Sequence, residues 1–340
     1  MRILRRTAAL LLFILGLCEG AARFISPTAP LLPYSVGNGY SSLEMSSRIN
    51  VALTPGNQVE YITDSFGARV GTANTTLAPE LLIVGDSQAL GYNLLFQQTA
   101  AARIGDCVSA GGTAISAAPA SDLEDYLLRM ELEVKKRNGL RRIILFLNLG
   151  NDLDEVYSTG QWLRGTSTKR LPKWLLENSR FYQKALLFMQ EEELRENSVP
   201  GVNRILYELS ADERVVLTDS FATRLVNGLN ALPLKHVLVV IIPSDVDVDQ
   251  DELKKYAVYS TDDAFSSWLE RSEVFSNQLA AIRRLLISRL QSAEVDVIDL
   301  HNKFVALGAS SVYARTSHHL TATSNELAAE SICSHLRSSL

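Results

Sequence analysis

Leu81-Leu82-Ile83-Val84-Gly85-Asp86-Ser87 is the stretch that decides the fold. Four consecutive apolar residues show no alternation, so they read as a strand buried on both faces. The Gly-Asp-Ser that ends them reads as a turn into a helix. Similar runs recur downstream. Cys107-Val108 is a short one, ending in Ala110-Gly111-Gly112. Residues 143–147 run into Gly150-Asn151-Asp152, residues 237–242 are stopped by Pro243, and residues 295–298 close at Asp299. Helical spacing fills the intervals. It covers residues 90–102, residues 121–138 with Ser121 as the candidate cap, and residues 324–335, where Leu327, Ala328, Ser331, Ile332 and Leu336 share a face. Continuous apolar strands alternating with helices predict a parallel sheet covered on both sides. The expected fold is α/β: a three-layer α/β/α sandwich with a five-stranded parallel sheet, flavodoxin-like. Residues 173–230 carry helical spacing without a strand and read as a helical insertion between the third and fourth strands.

The ends of the chain differ from this middle. Arg2, Arg5 and Arg6 precede an apolar run, residues 7–17, and small residues follow at Gly20, Ala21 and Ala22. That is the layout of an export signal over residues 1–22, with an uncleaved membrane anchor as the alternative. The run is short of the roughly 20 residues needed to span a bilayer. Residues 4–17 would carry any membrane association. The protein is therefore expected to be exported: periplasmic, secreted or held at the outer face of the cytoplasmic membrane. Residues 23–75 are rich in Ser, Thr, Pro, Gly and Asn and read as a loop-rich lead-in with short strands. Residues 76–340 form the main domain.

Composition sets outer limits. Of 340 residues, 46% are hydrophobic and 21% charged, which is globular and excludes wholesale disorder. A net charge of -5 argues against a nucleic-acid partner. Three cysteines exclude a disulfide scaffold. Without Cys18, Cys107 and Cys333 remain, either paired in an oxidising compartment or as two buried thiols.

Ligands of open parallel sheets bind beyond the carboxyl ends of the strands. Those ends offer Ser87 at a helix N-terminus, Gly111 and Gly112, and Asn151. A later loop adds Ser317-His318-His319. A hydroxyl, a base and several N–H donors are what acyl transfer requires. Ser87 would attack, and His319 would take its proton. The amides of Ser87 and of Gly111 or Gly112, with the Asn151 side chain, would hold the oxyanion. Asp86 and Asp152 read as acceptors that brace their turns. The acidic run from Asp245 to Asp251 lacks the glycine and closing glutamate of a calcium loop and reads as a solvated rim. Neither a metal nor a cofactor is implied.

This ordered set resembles the SGNH hydrolases, also called the GDSL esterase/lipase superfamily. The first block is similar to Ile83-Val84-Gly85-Asp86-Ser87-Gln88-Ala89-Leu90-Gly91, the third to Gly150-Asn151-Asp152-Leu153, and the last to the segment beginning His319-Leu320-Thr321. The second-block glycine falls at Gly111 or Gly112. Three further segments, Thr63–Arg69, Leu176–Tyr182 and Val240–Asp245, resemble a bacterial envelope branch of the family. The resemblance implies a serine-dependent acyl-ester hydrolase acting outside the cytoplasm on an acylated small molecule or glycan. The alternatives are an O-acyltransferase using a glycan hydroxyl, or a glycan-binding relative without catalysis.

One position departs from the family pattern. An aspartate two or three residues before the catalytic histidine normally orients the imidazole. Ser317 and Thr316 stand there instead, and His318 in the base role would fare no better. Three outcomes stay open: a Ser87–His319 dyad, a carboxylate brought in from elsewhere such as Asp152 or Glu326, or loss of activity.

Overall fold

The computed structural model describes residues 15–21, 34–37, 40–43, 48–54, 57–71, 79–108, 112–119, 121–153, 209–234, 236–252, 272–314 and 318–338. In chain order the elements are β1 (Tyr34–Gly37), β2 (Tyr40–Leu43), β3 (Arg48–Thr54), β4 (Asn57–Thr63), β5 (Arg69–Val70), β6 (Leu81–Gly85), α1 (Ser87–Leu90), α2 (Ala100–Val108), β7 (Thr113–Ala117), α3 (Leu123–Lys136), β8 (Arg142–Asn148), α4 (Ala211–Ala231), β9 (His236–Ile242), α5 (Asp245–Val248), α6 (Ser272–Ser292), β10 (Asp296–Asp299), α7 (His301–Leu307), α8 (Ala309–Val312) and α9 (Ala322–Ser338).

The main sheet runs β10-β9-β8-β6-β7-β5-β4-β3. Its first five strands are parallel, and β5, β4 and β3 continue it antiparallel. Successive residues of each parallel strand point to opposite faces, which gives two separate cores. Leu82, Val84, Ile143, Leu145, Val239 and Ile241 pack under α3, α4 and α6. Leu81, Ile83, Ile144, Phe146, Val240 and Ile242 pack under α1, α2, α7, α8 and α9. The three expected layers are present.

Three local readings are corrected by this architecture, and two are extended. Cys107-Val108 is the end of helix α2, not a strand; the second parallel strand is Thr113–Ala117, which follows the glycines rather than preceding them. The helix expected over residues 90–102 is broken in two, because Gly91 caps α1 in the left-handed conformation, φ 65°. The lead-in contributes three strands to the main sheet. The insertion ends in α4, which is the crossover that a parallel β8–β9 pair requires; residues 173–208 lie outside the described residues. The cap of α3 is Asp122, whose side chain accepts from the Asp125 amide, rather than Ser121.

The antiparallel extension has a physical reason. Without it, β7 would end the sheet with unpaired backbone groups. Arg69 of β5 pairs with Ile115 of β7 and closes that edge. Its approach is fixed by a buried ionic cluster, in which Arg137 reaches Asp64 at 2.6 Å and also binds Glu133.

Residues 15–21 are helical, with Leu15 and Leu17 exposed. No described helix is long and apolar enough to cross a membrane. Cys107 of α2 and Cys333 of α9 form a disulfide across 226 residues. Closing so long a loop removes much unfolded-state entropy. The Cys107→Ser/Cys333→Ser variant is expected to lose about 2–5 kcal/mol of stability. Thermal unfolding with and without reductant checks this: reductant should lower the Tm of the parent protein and leave the variant unchanged.

Candidate active site

The site forms where β6 and β8 end. Gly85 is required there by close approach, because a Cβ would meet the Ala89 side chain at 2.6 Å and the Phe146 carbonyl at 2.9 Å. Asp86 follows, fully buried, and caps α1 by accepting from the Gln88 amide at 2.8 Å. The Ala89 amide and the Asn148 and Asn151 side chains also donate to this carboxylate, with Asn148 Nδ2 at 3.0 Å from Oδ2. Burial pushes the Asp86 carboxyl above its ordinary range, and these donors pull it back. The cap consumes the second and third amides of the helix and not the first, which belongs to Ser87. Ser87 itself is half-buried, at the helix N-terminus.

Asp152 braces the neighbouring loop. Its two carboxylate oxygens accept from Tyr126 Oη and from the Asn148 amide, both at 2.8 Å. Asn151 is thereby carried beside Asp86. An amide nitrogen bears two hydrogens, so the Asn151 side chain can donate to Asp86 and also to a ligand. Asn148 was not singled out in the sequence. Its position as the last residue of a buried strand, where a polar side chain is unexpected, was the available signal.

The histidine segment enters from the other side. Tyr313 and Leu320 pair as an antiparallel bridge, and the Ala314 amide donates to the His319 carbonyl at 2.8 Å. Gln88, adjacent to Ser87, clasps this segment on both sides of His319. Its Nε2 donates to the His318 carbonyl at 3.0 Å, and its Oε1 accepts from the Leu320 amide at 2.8 Å. The His319 ring lies 4.8 Å from the ring of Tyr92, five residues beyond Ser87. The Tyr92 amide donates to the Ser87 carbonyl at 3.3 Å. His319 is thus held between Gln88 and Tyr92, on either side of the same turn.

His318 points elsewhere. Its Nδ1 lies 2.7 Å from Asp245 Oδ2, and its backbone is left-handed, φ 53°. For a side-chain-bearing residue that conformation costs about 1–3 kcal/mol. The acidic run is therefore not a solvated rim throughout. Asp245 and Asp247 are buried in α5, and only Asp249 and Asp251 are exposed. Asp247 is raised by its burial, against the opposing charges of Arg283 and His301.

The structure corrects two further expectations. Register places Thr113 beside Leu81 and Ala117 beside Gly85. Gly112 therefore sits at the opposite end of the strands from Ser87, five residues or ~16 Å of strand before Ala117. It cannot supply an oxyanion donor. The backbone that stands beside the Gly85–Ser87 turn is Ala117-Ala118, where the Ala118 amide donates to the Gly85 carbonyl at 3.4 Å. The carboxylates considered as substitutes are engaged elsewhere: Asp152 as above, and Glu326 with Arg103 at 2.8 Å. Gly111 and Ser317 lie outside the described residues. Among the described residues, no three His, Cys, Asp or Glu side chains converge as a metal site.

Behind the site, Arg69 is fully buried and donates to the carbonyls of Leu90 at 2.7 Å, Gly91 at 3.0 Å and Leu94. Its guanidinium lies 4.0 Å from the centre of the Tyr61 ring, and Tyr61 Oη accepts from the Asn93 amide at 3.2 Å. The antiparallel extension therefore grips the segment that carries Tyr92. Gly91 is required within that grip, since a Cβ would meet Thr99 Cγ2 at 2.4 Å.

No family model matches the chain, and no curated protein matches it. Solved structures do. The chain is similar to a member of the lipolytic protein G-D-S-L family from Veillonella parvula, at 10% identity and TM-score 0.40, over 75% of this chain and 96% of that one. It is similar to a lipase/acylhydrolase from Enterococcus faecalis at 11% identity and TM-score 0.40, over 77% and 97%. It is similar to a carbohydrate acetylesterase from Sinorhizobium meliloti at 13% identity and TM-score 0.36, over 76% and 99%.

Removing the Arg69 guanidinium would leave three carbonyls without their donor. Arg69→Ala is expected to cost about 3 kcal/mol or more in urea unfolding. Arg69→Lys should recover only part, because an ammonium cannot fork across three acceptors.

Proposed function

We propose that the protein is a serine-dependent acyl-ester hydrolase of the SGNH type, acting outside the cytoplasm. The observation that carries this reading is the Gln88 clasp. It brings a histidine from a distant segment to the side of the turn bearing Ser87, with the Asn151 amide braced alongside.

The chemistry follows from these roles. The Ser87 hydroxyl gives its proton to His319 as its oxygen bonds to the ester carbonyl carbon. The carbonyl oxygen becomes an oxyanion, held by the Ser87 amide and the Asn151 side chain. Its collapse breaks the ester C–O bond, and the leaving alkoxide takes the proton from imidazolium. Water then repeats the sequence on the acyl-enzyme and frees the acid. A sugar hydroxyl in place of that water would give O-acyl transfer by the same first half. An exported location is supported by the arginine-led apolar N-terminus and by the Cys107–Cys333 disulfide, a bond that persists in oxidising compartments. The proposed substrate is an acylated small molecule or glycan.

The experiment is hydrolysis of p-nitrophenyl acetate by the full chain. Ser87→Ala and His319→Asn should each lower kcat by at least about 1000-fold. Asn151→Ala should lower it by about 100–1000-fold. Equal rates for Ser87→Ala and the parent protein would overturn the reading.

A further inference from the structure

The histidine segment is held from two directions, and only one of them is the nucleophile turn. From the other side, β9 runs past its last strand residue into Pro243, Ser244 and α5. Two contacts join this extension to the histidine segment. Tyr313 Oη donates to the Pro243 carbonyl, and the His318 imidazole meets Asp245. These contacts stand at the two ends of residues 313–318, just before His319.

Asp245 is well fixed for this purpose. Its Oδ1 accepts from the Val246 amide at 2.9 Å, so Oδ2 is turned to His318. The Ser244 hydroxyl caps α5 by accepting from the Asp247 amide at 3.2 Å. Two residues on, Asp247 accepts from Arg283 Nε at 2.9 Å, and the same guanidinium binds Asp299. His301 Nε2 approaches the Asp247 carbonyl at 3.1 Å. Helices α6 and α7 therefore both grip α5, and Asp299 of β10 braces the Arg283 guanidinium that does so. The Asp245 carboxylate is 3% exposed, against 22% for the His318 side chain. The acid is the rigid partner, and the imidazole is what it holds.

The backbone at His318 makes the same point. A left-handed residue with no side-chain duty is best filled by glycine. Histidine is among the side-chain-bearing residues that enter this region more readily, and here it does so with its ring on Asp245. In that conformation its side chain turns to Asp245, while its carbonyl and the Leu320 amide turn to Gln88. The reversal sends adjacent imidazoles to different places, one to α5 and one to the Tyr92 ring.

Resting on the function proposed above, we propose that Asp245 and His318 are a positioning pair. They hold the His319 imidazole at the nucleophile turn through the backbone. They thereby do the orienting work that an aspartate shortly before the histidine does in the family this chain resembles. Neither member of the pair touches the reacting atoms.

The test uses the full chain with His318→Asn, Asp245→Asn and the double variant. Asparagine tolerates the left-handed conformation, so His318→Asn removes the imidazole while keeping the backbone. Each single variant should lower kcat on p-nitrophenyl acetate by roughly 10–100-fold with KM little changed. The double variant should be no worse than the worse single one, and Asp245→Glu should recover part of the loss. A second readout needs no turnover. The His319 ring proton resonances, shifted by the Tyr92 ring, should move in His318→Asn and Asp245→Asn and stay in place in Asp251→Asn, at an exposed member of the same acidic run. Three results overturn the pair: unmoved His319 resonances, additive losses, or loss to the Ser87→Ala level in His318→Asn while His319→Asn remains active. The last would make His318 the base. Failure of the hydrolase reading shows separately, as a parent protein whose rate Ser87→Ala does not change.

Discussion

The arrangement depends on a carboxylate that has no contact with water. Asp86 lies between the ends of β6 and β8, and burying a charge there is costly unless donors surround it. The donors come from two places: amides of α1, and the side chains of Asn148 at the end of β8 and Asn151 just past it. Satisfying Asp86 therefore fixes the distance between the nucleophile turn and the loop that carries the amide donor. The same carboxylate caps α1 through its second and third amides, and the first, that of Ser87, is outside the cap. A buried acceptor thus organises a site in which it takes no chemical part.

Around this point the protein uses short, direct ties. Gln88 binds two peptide groups of the histidine segment, 230 and 232 residues away in sequence. Asn325 of α9 accepts from the Ala100 amide of α2 at 3.0 Å, and the disulfide joins the same two helices further along. The segments that follow Ser87 and His319 are thereby linked at several levels. Relative movement of nucleophile and base would break contacts in the core as well as at the surface. That is the condition for holding a reacting geometry on elements rather than on loops.

Much of this was legible in sequence, and the exceptions have specific causes. Strands β6, β8, β9 and β10 are runs of large or β-branched residues, and their type and order could be read directly. Strand β7 could not. Thr113-Ala114-Ile115-Ser116-Ala117 is made mostly of small residues, and Ser116 is buried where its hydroxyl donates to Glu133. The adjoining Cys107-Val108 is more apolar but belongs to an amphipathic helix. Misplacing one strand put Gly112 at the wrong end of the strands. Local periodicity reports burial of a segment, but which element is buried there also depends on residues far away.

Asp245 shows the same limit from the side of charge. Four aspartates in seven residues, each separated by one residue, read locally as a solvated or ion-binding loop. Two of them are instead buried, because each meets a cationic or imidazole partner from another part of the chain: His318 for Asp245, Arg283 and His301 for Asp247. No window around Asp245 contains those partners. A buried carboxylate is stable only when its counter-group arrives through the fold, so this class of residue is concealed from sequence reading by its own requirement. The histidine doublet carries the complementary half of that information. Two adjacent imidazoles serve one site only if the backbone reverses between them, and the left-handed His318 is where it does. That reversal lets His319 face the Tyr92 ring while His318 faces Asp245. An absent aspartate next to His319 is then consistent with a working site, because the orienting acid acts on the segment rather than on the base itself.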